Sequence, residues 1–277
     1  MPQKFTAEEN LYSMKAYELM TELFAVAENV SKNTCDTFKS GSPDTEVTKV
    51  AVSMFATPEV VKAAHEWGAE LLIVHEPTYF NHMDNHSDEA FEVEKRRLIE
   101  STGIIICRYH DHPHLAARDI ICEGEIEYMK LPGKVTFPGK FDLVRVELDH
   151  PMTPREIAAH IERTVGIKRI RIAGAADTPM TKLSGMFGTP GGVDAELRSD
   201  ECEVLMTGEV CEWALAEWVR QAAQMGHRKA LLVLGHIGSE RDGMRLTADR
   251  LAAAHPELGV RYFECGEVYT YTDSEND

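Results

Sequence analysis

The stretch Glu70-Leu71-Leu72-Ile73-Val74-His75-Glu76-Pro77 decides the fold. Its apolar run does not alternate with polar residues, so it reads as a strand buried on both faces, the kind found inside parallel sheets. Two more runs share this character, Ile104-Ile105-Ile106-Cys107 and Ala230-Leu231-Leu232-Val233-Leu234. Each of the three gives way to polar chemistry. The first releases His75 and Glu76, and the second Tyr109-His110-Asp111-His112-Pro113-His114. The third releases Gly235-His236-Ile237-Gly238-Ser239-Glu240. In open α/β sheets ligands bind at the carboxyl ends of the strands, and His with Asp or Glu is the donor chemistry of hydrolytic metal centres. A metal site is therefore expected.

Working outward, Val47–Phe55 reads as a strand. Thr57 then caps a helix that has Pro58 at its first position and ends at Gly68. A second helix runs from Ser87 to near Gly103, ahead of the strand Ile104–Arg108. A capping box at residues 6–9 opens a helical region, with Leu19, Leu23, Val26 and Val30 at helical spacing. The Pro/Gly-rich segment from Leu131-Pro132-Gly133 to Pro138-Gly139 marks a boundary, after which the pattern restarts. Phe141–Leu148 is a strand, and Thr153-Pro154-Arg155-Glu156 is a capping box opening a helix that ends near Gly166. Strands are expected at Arg169–Ala173, Glu203–Met206, Ala230–Leu234 and Val260–Cys265, and helices at Cys211–Met225 and Ser239–Ala254. The fold class is α/β: two subdomains, residues 1–133 and 134–277, with mainly parallel, helix-covered sheets.

At 277 residues with 43% apolar and 27% charged content, the chain has the composition of a globular protein. No apolar run approaches the roughly 20 residues of a membrane helix. The acidic N-terminus lacks the apolar core of a secretory signal. The six cysteines form no C-x-x-C, and several fall in apolar patterns as reduced, buried thiols. A cytoplasmic protein is expected. A net charge of -17 with no basic stripe argues against duplex nucleic acid as a partner.

Each candidate residue also has a plainer reading. His236 and Glu240 are four apart and share a face if helical, although an acid in a first helical turn also serves the helix dipole. His75 alone reads more often as a hydrogen-bonded structural residue, and the histidines of 110–114 read equally as a solvated loop. Gly188-Thr189-Pro190-Gly191-Gly192 lacks the ending of a phosphate-binding loop and reads as a turn or flap. Trp213 and Trp218 are expected in the core. His82, His86, His150, His160, His227 and His255 are expected at the surface.

Taken in order, four segments resemble the NIF-three-like dinuclear-metal proteins, often labelled GTP cyclohydrolase I type 2. They are Gly68 to Pro77, Tyr109-His110 with its following residues, Thr207-Gly208-Glu209-Val210-Cys211-Glu212, and Gly235 to Arg241. The resemblance spans about Val47 to Cys265. It implies two α/β halves enclosing a pair of metal ions, within toroidal homohexamers. The family's ligand pattern is His-His, then Asp, then His-x-x-x-Glu. Carried over, it makes His75, Glu76, His114, His236 and Glu240 the metal ligands, with Asp111, His110 and His112 as alternates in the middle segment. Two positions depart from the pattern, Glu76 for His and His114 for Asp. They leave three imidazoles and two carboxylates, as in the family, so compensating changes in one retained site are expected, the competing reading being that the site has lost one metal.

One or two divalent ions per chain are implied, with zinc, manganese, iron and nickel all compatible. Counting these ligands alone, two ions leave the site at +2 and favour an anionic group, a phosphate or carboxylate, on a small anionic or nucleotide-like substrate. Glu209 is expected to orient a water or a ligating histidine. The function that follows is a metal-dependent hydrolase. The alternative is a non-catalytic metal-binding scaffold.

Overall fold

The computed structural model describes residues 12–139, 143–189 and 193–272. The capping box at 6–9 and residues 190–192 of the glycine-rich loop lie outside them. The chain opens with β1 (Met14–Lys15), α1 (Ala16–Phe24), β2 (Phe38–Ser40), β3 (Glu46–Val47) and β4 (Lys49–Ser53). It continues through α2 (Pro58–Trp67), β5 (Leu71–Val74), α3 (Ala90–Thr102), β6 (Ile105–Arg108), α4 (Asp111–Leu115) and α5 (Ile120–Met129). Then follow β7 (Gly133–Thr136), β8 (Val144–Met152), α6 (Pro154–Val165), β9 (Arg171–Gly174), β10 (Met180–Gly185), α7 (Val193–Arg198) and β11 (Val204–Thr207). A π turn (Glu212–Ala216) runs into α8 (Glu217–Gln224). After β12 (Ala230–Val233), a 3-10 turn (Ile237–Ser239) leads to α9 (Arg241–Ala254) and β13 (Gly259–Tyr262).

Two large sheets, beside a small antiparallel pair of β1 and β3, organise the described elements. The first has the order β13-β4-β5-β6-β2. It is parallel apart from the β2 edge. All four residues of β5 are buried. Successive side chains alternate faces, so Leu72 and Val74 meet Val60, Val61 and Ala64 of α2 and Ile99 of α3. Leu71 and Ile73 meet Leu19 and Met20 of α1 and Met244 and Leu251 of α9. Fully burying such side chains contributes about 1.5–3 kcal/mol each.

The second sheet has the order β7-β8-β10-β11-β12-β9. Only β10, β11 and β12 run parallel; the outer pairs are antiparallel. The mainly parallel expectation thus describes the first sheet, and the second is mixed. One of its faces packs on α5 and α6 through Ile126, Ile157 and Ile161, the other on α7 and α8 through Leu197 and Val219. The last strand, β13, leaves this half of the chain and pairs with β4 in the first sheet.

The helix ends follow the local chemistry. Thr57 Oγ1 accepts from Val60 N at 3.1 Å, and Gly68 closes α2 in the left-handed region. Thr153 and Glu156 form the reciprocal capping box of α6. Four expectations need correction. The strand set at Val47–Phe55 is two short strands, because the Glu70 carboxylate takes the Thr48 and Lys49 N–H groups at 3.1 and 2.8 Å where they meet. The first helix stops at Phe24, and Val26 beyond it is exposed. The helix expected from Ser87 starts at Ala90, and no side chain caps it. The segment 211–225 begins as a π turn that leaves Trp213 84% exposed, so Trp213 is not core.

Cys35, Cys107, Cys122 and Cys202 are buried, while Cys211 is exposed. Among the described residues no helix is long and apolar enough to cross a membrane.

Candidate metal centre

Strand ends from both sheets converge. His75 and Glu76 follow β5, His110 and His114 follow β6, Glu209 follows β11, and His236 follows β12. Glu240 opens α9, which is set against α5 where Gly124 and Gly243 let the two backbones meet; a Cβ on either would clash with the other helix. His236 and Glu240 do not share an α-helical face as expected, since the 3-10 turn lies between them. Their facing atoms are still only 3.1 Å apart.

His75 is completely buried, with Nδ1 3.0 Å from the Tyr109 carbonyl. A carbonyl only accepts, so Nδ1 carries the hydrogen and Nε2 presents its lone pair. Burial, reinforced by His110 and His114, holds the pKa of His75 well below the usual histidine range and keeps the ring neutral. Its Nε2 is buried without a hydrogen-bond partner and faces Oε2 of Glu240 3.7 Å away, an oxygen whose other neighbour is His236 Nε2 at 3.1 Å. Buried polar atoms without partners are costly and uncommon. A cation between His75 and Glu240 would give this Nε2 its partner.

His114 repeats the arrangement. Its Nδ1 meets Asp119 Oδ2 at 2.8 Å, and its Nε2 faces Glu240 Oε1 at 3.7 Å. A carboxylate behind an imidazole is the usual support for a metal-binding histidine. His110 lies between, its ring 4.6 Å from that of His75 and 5.1 Å from that of His114. Donor atoms of these three histidines all fall within 4.8 Å of one another. Gly188, with φ of +65°, lies directly over Glu240, and a Cβ there would collide with the carboxylate.

The other side of Glu240 is ionic. His236 Nε2 donates to Glu76 Oε1 and its Nδ1 to Glu209 Oε1, both at 2.8 Å. Burial opposes a charge on His236, but hydrogen bonds with Glu240 and Glu76 prevail and its pKa is pushed up to about 11. Burial would likewise raise Glu76, yet the His236 hydrogen bond and charge hold it low. Glu76 Oε2 also lies 3.7 Å from Nη2 of Arg108, a buried guanidinium.

Of the remaining candidates, Asp111 faces Thr34 Oγ1 at 2.7 Å and Cys35 Sγ at 3.4 Å, and it supports His110 Nδ1 at 2.9 Å. His112 is not brought to the cluster. Its Nδ1 binds Asp36 at 2.6 Å and its ring stacks on Phe24 at 4.3 Å. Asp36 also accepts from the backbone N–H groups of His110, Asp111 and His112, so it fixes the whole segment. His82 is at the surface as expected, but its ring packs edge-on to His110 at 5.7 Å. Sequence reasoning missed Asp36, Asp119 and Arg108. Only Asp119 carries a local signal, as the N-cap that accepts from Cys122 N at 2.9 Å.

The chain is similar to curated proteins in sequence and to solved structures in fold. A protein of Clostridium perfringens named GTP cyclohydrolase 1 type 2 homolog is 24% identical over 207 residues, covering 72% of this chain and 76% of its own. The Staphylococcus aureus hypothetical protein SA1388 superposes with a TM-score of 0.73 at 18% identity, over 93% of this chain and 99% of that one. A Bacillus cereus protein related to NIF3 reaches 0.74 at 13% identity, over 95% and 100%. At such identities these structures speak for the fold alone. The profile described as Duf34/NIF3 (NGG1p interacting factor 3) matches residues 15–267, nearly the whole chain, and the chain therefore belongs to the Duf34/NIF3 family.

Proposed function

We propose that the protein is a divalent-metal-dependent hydrolase acting on a small anionic substrate, nucleotides included. The observation that carries the metal reading is the buried, unpartnered Nε2 of His75, which faces Glu240 Oε2 at 3.7 Å. His75, His114 and Glu240 would hold the ion, with His110 beside them. When bound, a zinc, manganese, iron or nickel ion supplies Lewis acidity and lowers the pKa of a coordinated water. The Tyr109 carbonyl and Asp119 aim the two imidazoles. Gly188 and Ser239 close the site over Glu240.

The His236 side supports chemistry over a purely structural metal. The His236 side chain is 22% exposed and Glu209 is half exposed, so a substrate can approach where a structural site would be closed. Glu209 holds His236 in orientation from the solvent side. The cation is a positive centre in a strongly acidic chain and recruits an anionic group. The name of the Clostridium perfringens relative makes GTP a reasonable member of any substrate panel.

The test is turnover by chain loaded with each of the four metals against phosphate esters and nucleotides including GTP. Chelation should abolish activity, and reloading should restore it in wild type but not in His75→Ala. Activity that survives chelation, or that His75→Ala retains, would reject the reading.

A further inference from the structure

We infer that the chain holds one divalent ion rather than a pair, and that Arg108, Glu76 and His236 stand where the second would be. The inference rests on the metal reading above and deepens it. Two atoms that share an ion at roughly 2.0–2.2 Å stand roughly 3.0–3.5 Å apart. The gaps from Glu240 to His75 and to His114, 3.7 Å each, accommodate an ion after a small inward shift. The 2.8 Å between His236 Nε2 and Glu76 Oε1 is a hydrogen bond whose proton lies between the two atoms, and the same Nε2, although 3.1 Å from Glu240 Oε2, is thereby directed at Glu76.

Arg108 closes the second position further. Its side chain is 1% exposed, its Nε donates to the His75 carbonyl at 2.9 Å, and its Nη1 donates to the His82 carbonyl. Asp84 lies 3.7 Å from the same Nη1 and 3.3 Å from Lys39 Nζ. Held on these sides, the guanidinium has no route away from an arriving cation. Glu76 and Asp84 are matched by Arg108 and Lys39, so this buried group is neutral before any metal enters.

Counting Glu240 alone with the ions, one divalent ion gives +1 and two give +3. The charges of His236 and Glu209 cancel, and Asp119 and Asp111 stand further out, behind His114 and His110. The +2 reached from sequence for a filled pair omitted Arg108. The exchanged position 76 thus has its charge partner in Arg108 and its hydrogen-bond partner in His236, whereas His114 faces Glu240 and Asp119. Compensation between Glu76 and His114 is not needed to explain the Glu76 carboxylate.

The experiment titrates metal-free wild-type chain with Zn2+ and with Mn2+, counts ions by native mass spectrometry and locates them by anomalous diffraction. One ion per chain, beside His75, His114 and Glu240, is expected even in excess metal. Glu76→Gln should keep that count, with affinity weakened by no more than about tenfold, the lower end of outer-shell effects. Two ions per wild-type chain, an anomalous peak coordinated by Glu76 or His236, or loss of the ion in Glu76→Gln each overturn the inference and leave a metal centre standing. Absence of any ion after reconstitution overturns the metal reading itself. The wild-type count requires no substitution, so misfolding of a variant cannot decide the result.

Discussion

The two flanks of Glu240 use the same residue types for opposite electrostatic ends. On one flank His75 and His114 are buried and give Nδ1 to a carbonyl or carboxylate behind them, with Nε2 turned toward Glu240 across 3.7 Å. On the other, both nitrogens of the part-exposed His236 meet carboxylates at 2.8 Å. Burial keeps His75 neutral, and the carboxylates keep His236 charged. A neutral imidazole offers a lone pair to a metal and a charged one offers none. A histidine's value as a ligand is therefore set by what its second nitrogen touches, which residue spacing does not reveal.

The largest expected effect separates the flanks directly. His75→Ala should weaken metal binding by more than about 100-fold, beyond the range of outer-shell changes, while His236→Ala should cost about tenfold or less. Calorimetric titration with Zn2+ measures both, and equal losses would erase the distinction. Gly188→Ala comes next. Its left-handed backbone costs about 1–3 kcal/mol once a side chain is present, and its Cβ would push Glu240 aside. A lower thermal midpoint together with at least tenfold weaker metal binding is expected. A variant that binds metal normally would show that Glu240 is not seated as described.

The sequence made the strand ends of both flanks legible, and not the partners that meet there. Buried parallel strands announce themselves as apolar runs, so β5, β6 and β12 and the polar residues that follow them were readable. So were the capped helices at Thr57 and Thr153, because those signals are local. The antiparallel outer strands of the second sheet were not, since pairing direction depends on partners distant in sequence. Arg108 escaped notice because it ends an apolar strand, and its role appears only when the loop carrying His82 and Asp84 folds onto it. Asp36 binds a segment more than 70 residues away. Trp213 was misplaced because its composition suggested an ordinary helix where the chain makes a π turn.

A smaller effect compares the acids behind the two kinds of histidine. Asp119 is 7% exposed and supports His114; Glu209 is about half exposed and supports His236. Asp119→Asn should weaken metal binding by about 10–100-fold, and Glu209→Gln by less than about tenfold. If Glu209→Gln proved the more damaging in the same titration, the ionic flank would be the one that holds metal.

The smallest effect concerns stability and tests whether the base of α9, which carries Glu240, is strained by its own acids. Glu125 is fully buried, and its Oε1 accepts from Asp242 N at 2.7 Å. Burial first, and then the charge of Asp242, raise its pKa well above the usual carboxylate range. Asp242 has Arg245 at 2.6 Å, so Asp242 keeps the charge and Glu125 keeps the proton. A carboxyl whose pKa is raised by folding favours the native state fully below its unfolded value near 4.5, and that contribution is lost as pH rises through the folded value. Glu125→Gln retains the acceptor and removes the titration. It should match wild type at pH 4.5 and become the more stable chain at pH 8, by an amount of the order of 1 kcal/mol, the scale of one pKa unit. Urea midpoints at the two pH values measure this in metal-free protein. An advantage that shrank toward pH 8 would mean that Glu125 is ionised in the native state and that the acids at the start of α9 are matched by its N-terminal dipole.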